Sequence, residues 1–156
     1  MKKVILPIVL LAVLAFGVVN STLTDAEREF AVKEMTKSHD HFLNAIQGLN
    51  EEQLNYKATD DSWSIAECAE HIAISENMIF GLLQGTLANE ADPSKRSEVK
   101  VSDEGLIAMI EDRSNKVKTS EAFEPSGKYG SFEETVEEFK SKRKEHIEYV
   151  KSTQDD

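Results

Sequence analysis

Glu76, Arg113 and Arg143 are charged residues set inside otherwise apolar helical stripes, and that placement limits what they can do. A carboxylate in the middle of an apolar face must pair, accept hydrogen bonds or take up a proton, since even a neutral polar group costs ~2–7 kcal/mol to bury unpartnered. Guanidinium and carboxylate satisfy each other bidentately, so Glu76 is expected to join at least one of the two arginines in a structural ion pair. His71 is the second candidate, with Glu67 one turn before it and Ser75 one turn after. It reads either as a partly buried polar residue or as a metal ligand. Metal sites draw on clustered ligands, such as two histidines at i and i+4 of one helix, and the four histidines here form no such pair. His39 lies at the margin of its stripe, His41 points the opposite way, and His146 stands alone at the margin of a later one.

The single cysteine, Cys68, has no partner within the chain and so forms no disulfide inside one monomer. Ala66, Ala69 and Ile72 around it predict a small buried thiol. Glu67 and Glu70 deny it the electropositive setting that activates a nucleophile. Phosphate-cradling glycine loops, a Gly-x-Ser-x-Gly elbow, Cys-x-x-Cys pairs, EF-hand spacing and internal repeats are all missing from the sequence.

The elements that must carry these residues are helices. Thr24 with Glu27, Ser64 with Glu67 and Ser131 with Glu134 are three capping boxes, each satisfying free N–H groups at a helix start from both directions. They predict helices over 24–49, 64–87 and 131–152, with a shorter one over 103–118. The expected inner faces are Ala31, Met35, Phe42, Ala45, Ile46 and Leu49 in the first helix. In the second they are Ile65, Cys68, Ala69, Ile72, Ile79, Phe80 and Leu83. The short helix contributes Leu106, Met109, Ile110 and Val117, and the last Phe132, Val136, Phe139, Ile147 and Val150. Residues 48–62 read as a connection in which Leu54 and Tyr56 tuck against the bundle. The last helix sorts its charges along its axis, acidic early and basic late, which suits the helix dipole and predicts a Glu138–Lys142 pair. No alternating run with turn signals calls for a strand, so the fold class is all-α.

The chain has 156 residues, 29 acidic against 18 basic, for a net charge of −11. Such a balance excludes a phosphate-neutralising surface and with it a nucleic-acid partner. Lys2 and Lys3, the apolar run Val4 to Val19 and polar Asn20, Ser21 and Thr22 follow the order of a secretory signal peptide. The run is short for a membrane span, which needs ~18–20 apolar residues. Cleavage is expected between Gly17 and Thr22, giving a leader at 1–21, a mature domain at 22–156 of charge −13, and a secreted or periplasmic protein with no stable membrane anchor.

The stretch Gly48-Leu49-Asn50-Glu51-Glu52-Gln53-Leu54, then Asp61-Ser62-Trp63-Ser64-Ile65-Ala66-Glu67 and Glu70-His71-Ile72, resembles the DinB-like (YfiT-like) superfamily, in its secreted bacterial members. The similarity extends through Asp112-Arg113 to the end of the chain. The resemblance implies a four-helix bundle of up-down-down-up arrangement, and a nickel or zinc ion held by three histidines. One of these matches His71. The other two belong to a His-x-x-x-His pair on a final helix, and no residues here match that pair; His39 and His146 do not replace it on spacing.

That departure predicts a truncated or incomplete product that lacks the last helix and binds no metal stably. It also predicts a groove lined by Phe42, Ile72, Phe139 and Ile147, to be covered in a homodimer if not by the helix. Relatives of this kind include thiol transferases using bacillithiol or mycothiol and metal-dependent hydrolase-like proteins. Those thiols are cytosolic, which weakens the transferase reading for an exported chain. Two function classes follow: an envelope metalloenzyme, inactive as it stands, or a non-enzymatic acidic helical binding or stress-associated protein. The small-molecule ligand of either is open.

Overall fold

Each major helix begins where a side chain can cap it. Thr24, Asn50, Ser64 and Ser131 each accept from the backbone N–H three residues on, while Glu27, Gln53, Glu67 and Glu134 reach back to the cap's own N–H. The computed structural model describes residues 23–89, 92–112, 114 and 118–154. Its α-helices are α1 (Asp25–Ile46), α2 (Glu51–Asn55), α3 (Ile65–Leu87), α4 (Asp103–Glu111) and α5 (Phe132–Ser152), with 3-10 turns at Pro93–Glu98 and Glu121–Phe123. Among the described residues there is no strand, so the all-α class holds. The 1–21 leader, Arg113 and Val117 lie outside the described residues.

Helix α5 is the shared partner, packing on both α3 and α1, while α2 closes against α3. Contacts along the axes give the directions. Arg28 at the start of α1 donates to the carbonyls of Val150 and Thr153 at the end of α5, so these two helices are antiparallel. Asn77 donates to Glu138 and Phe80 meets His146 and Tyr149, so α3 and α5 run parallel. Parallel neighbours need a long crossover, and residues 88–131 supply it. The three long helices thus run up, down, down.

The core is small and lies where α5 meets its partners. Ala69, Ala73 and Ile74 of α3, Leu54 of α2 and Phe139 of α5 are its buried apolar members. Phe139 has its ring edge-on to Phe42 at 4.6 Å and stacked beside His39 at 5.9 Å.

Several expected faces differ from this. The buried side of α3 is turned toward Ala69, Glu70 and Ala73, whereas Ile65, Cys68, Ile72, Ile79 and Leu83 of the expected stripe are exposed. The isoleucines dominate the hydrophobic pattern, but small alanines let α5 approach closely, and the approach decides which side is buried. Phe139 is consequently inside the core and lines no groove; Phe42 and Ile72 do border one, between α1 and α3. Tyr56 is exposed while Leu54 is buried, in a helical turn within the stretch read as a connection.

Helix α4 stops at Glu111, where Asp112 accepts from the Ser114 N–H in a local turn that competes with helix continuation. Its Leu106, Ile107, Met109 and Ile110 are exposed. Glu138 bonds Asn77, and Lys142 pairs instead with Glu145.

Phe139→Ala should cost about 3–5 kcal/mol, as large-to-small core changes do. Leu106→Ala should stay within about 0.5 kcal/mol. Urea midpoints of the two variants check both values.

Candidate functional site

Two constellations hang from α3, and the first joins all three long helices. Arg143 of α5 donates from Nε and Nη2 to the two carboxylate oxygens of Glu76 on α3, at 2.7 and 2.6 Å. Its remaining Nη1 donates to the Met35 carbonyl and the Ser38 hydroxyl of α1, at 2.9 and 2.7 Å. His146, one turn after Arg143, places Nδ1 2.7 Å from Glu76 Oε1 and stacks on Phe80 at 3.8 Å between ring centroids. A carboxylate only accepts, so this His146 nitrogen carries the proton.

The Glu76 side chain is 10% exposed and those of Arg143 and His146 are 14% and 4% exposed. Burial pushes the Glu76 carboxyl up, but the hydrogen bonds and charges of Arg143 and His146 outweigh it, and the net displacement is below the usual carboxylate value. Arg113, the other arginine of the expected ion pair, is outside the described residues.

The second constellation fixes the crossover. Glu70 is buried and accepts three backbone N–H groups, from Ser126, Gly127 and Lys128, at 3.1, 3.1 and 2.6 Å. Gly127, with φ +72°, gives the loop the left-handed step that lets successive N–H groups converge on one anion. Gly130, with φ +87°, lies against the capping carboxylate, and a Cβ there would fall 2.6 Å from Glu134 Oε2.

The neighbouring His71 holds the same crossover from its other side. Its Nδ1 is 2.7 Å from the Phe123 carbonyl, and Trp63 lies against its ring at 5.0 Å. A carbonyl can only accept, so Nδ1 carries the proton, and the tautomer this fixes has its lone pair on Nε2. His71, Ser75, Glu76 and His146 border one cavity of about 360 Å³, floored by Ile72, Phe80 and Leu83.

A metal needs several such lone pairs. Ser75 offers a neutral hydroxyl, both Glu76 oxygens are held by Arg143 and His146, and His146, with Nδ1 turned to Glu76, adds one further lone pair on Nε2. Among the described residues, no group of three or more His, Cys, Asp or Glu side chains is arranged to hold a metal ion. His71 and His146 both border the cavity, and the described residues around them supply no third such ligand. His39 stacks on Phe139 and bonds Asp40, away from this cavity. Cys68 is exposed in the adjoining groove with Trp63 and Tyr56, and desolvation of its sulfur, with the Glu67 charge, pushes the thiol up.

Sequence reasoning reached Glu76, Arg143 and His71 but missed Glu70, His146 and the Phe123 carbonyl. The signal for His146 was present: three residues after Arg143, it shares that residue's face and so its partner. Glu70 gave none, because its partners are backbone groups 56–58 residues away in the chain.

A model of the DinB superfamily matches residues 34–156, so the chain belongs to that superfamily. No curated protein and no solved structure matches it.

The Glu76 cluster fixes a pH dependence. A folded-state carboxyl held below its unfolded value of ~4.3 contributes stability above that pH and loses it as the pH falls through the folded value. Glu76→Gln should lower stability by about 3–5 kcal/mol at neutral pH, as breaking a buried pair does. It should also flatten the loss of stability below about pH 4. Thermal melts across pH 3–7 test this, and a variant that melts like wild type contradicts the ion pair's role.

Proposed function

We propose that this member of the DinB superfamily is an exported helical binding domain that does not by itself assemble a metal-dependent catalytic centre. The carrying observation is the commitment of the site's donors. Glu76, the carboxylate on the cavity wall, has both oxygens engaged by Arg143 and His146, which leaves the Nε2 atoms of His71 and His146 as the imidazole lone pairs at the cavity, short of a three-ligand set. Two imidazoles without a third ligand hold nickel or zinc weakly, since stable sites use three or four protein ligands.

A specific observation favours the second reading, a metal-dependent hydrolase or transferase. The Nδ1–H···O=C bond from His71 to Phe123 is the outer contact that orients metal-ligating histidines and fixes their tautomer. That reading requires a ligand from outside the described residues. In such a site His71 would supply Nε2, and the metal would supply a polarised water.

Bound nickel and zinc, measured by mass spectrometry after dialysis of the purified protein against each ion, separate the two. The proposal expects well under one equivalent, unchanged in His71→Ala. One equivalent that disappears in His71→Ala overturns it.

Export is proposed from Lys2, Lys3 and the apolar run Val4 to Val19 ahead of the first cap at Thr24. No helix among the described residues is long and apolar enough to cross a membrane. N-terminal sequencing of protein recovered from an exporting host should find a start between residues 18 and 23. A retained Met1 argues against cleavage.

A further inference from the structure

The outward face of α3 carries a strict seven-residue repeat. Ile65, Ile72 and Ile79 lie one heptad apart, and Cys68, Ser75 and Leu82 follow each by three, which is the a and d spacing of a two-helix seam. β-branched residues at the first of these positions favour pairing of two helices. Among the described residues no helix covers this seam. Ile65, Ile72 and Ile79 are 39, 36 and 60% exposed, and Leu82 and Leu83 are 65 and 45% exposed. The small side chains of Cys68 and Ser75 at the intervening positions leave room for a second helix to come close.

From this we infer that the α3 seam is an isologous interface at which a second copy of the chain docks, the α3 helix of each lying in the groove beside α3 of the other. Two observations select a second copy as the occupant. The first is charge. The protein is strongly acidic, and a like-charged copy would be repelled from most of its surface, but the seam carries no free charge. Of the three acids on α3, Glu67 is bonded to Lys57, Glu70 to the crossover backbone and Glu76 to Arg143 and His146. Residues 77–87 hold none at all.

The second observation is area. Trp63 and the five exposed seam residues together present on the order of 600 Å² of apolar surface, at the upper limit of the ~300–600 Å² patch a soluble monomer carries. Doubled by two-fold symmetry, this reaches the ~1,200 Å² at which specific protein interfaces begin. The inference does not depend on the proposed function, because it uses neither His71 nor a metal.

Light scattering coupled to size exclusion of the purified full chain, over a range of micromolar concentrations, measures the mass. The expected result is twice the chain mass for wild type and the single-chain mass for Ile79→Glu, with the circular dichroism and melt of a folded helical protein. Ile79→Ser serves as the milder variant should the glutamate disturb folding, and it should raise the dissociation constant at least tenfold. Met109→Glu, on the exposed face of α4, should stay dimeric. A wild type that is monomeric throughout overturns the inference. So does a dimer that survives both Ile79 variants, or one that is broken by Met109→Glu while the Ile79 variants keep it.

Discussion

Arg143 joins all three long helices through one side chain, and the arrangement of the bundle depends on it. Its guanidinium has five N–H donors in a rigid plane, and the structure directs them to Glu76 on one side and to the Met35 carbonyl and Ser38 hydroxyl on the other. A lysine could meet Glu76 but would not span to α1 with the same fixed geometry. The consequence for Glu76 is that its charge is matched and its oxygens are occupied. His146 completes the shell on Oε1 and is itself held flat by Phe80. Every fully buried side-chain nitrogen or oxygen among the described residues has a partner, so this polar centre is satisfied rather than held in reserve for chemistry.

The apolar core is too small to specify these helix positions unaided. Among the described residues five apolar side chains are buried, two of them alanines, and these give little directional information. Polar interlocks supply it: Arg143 sets the depth of α1 against α3 and α5, Arg28 ties the start of α1 to the end of α5, and Glu70 ties the crossover to α3. Breaking a buried pair costs more than its formation contributes, because the surviving charge is stranded. An ion pair can therefore fix the arrangement firmly without adding much net stability.

The helices and their starting points were legible in the sequence because capping is local. Thr24, Ser64 and Ser131 each sit three residues before a glutamate, and the structure starts a helix at each. The outward and inward sides of α3 were not legible. The hydrophobic pattern of α3 reports its most apolar side, and that side is the isoleucine seam, whereas the side packed against α5 is lined by alanine and crossed by Glu70. A pattern of hydrophobicity cannot say which of two partners is present. Glu70 was beyond reach for a related reason, since a carboxylate that binds backbone N–H groups leaves no complementary side chain to find. The exposure of α4 follows the same rule: its apolar residues were read, but they stand exposed.

Two neighbouring residues of α3 hold the crossover in place. Glu70 and His71 are adjacent, so on a helix they point about 100° apart, and between them they grip the crossover at two places: Glu70 at residues 126–128 and His71 at Phe123. His71 is thereby held at the border between the crossover and the seam, with its tautomer set by a backbone carbonyl that cannot donate. A helix laid along the seam would pass beside this ring and close the cavity that Ile72 and Leu83 floor. Whatever occupies the seam then determines whether His71 Nε2 faces water or another side chain. His71 is for this reason governed by the same face as the isoleucine repeat. The identity of the seam's occupant is thus a question about the site as well as about the assembly.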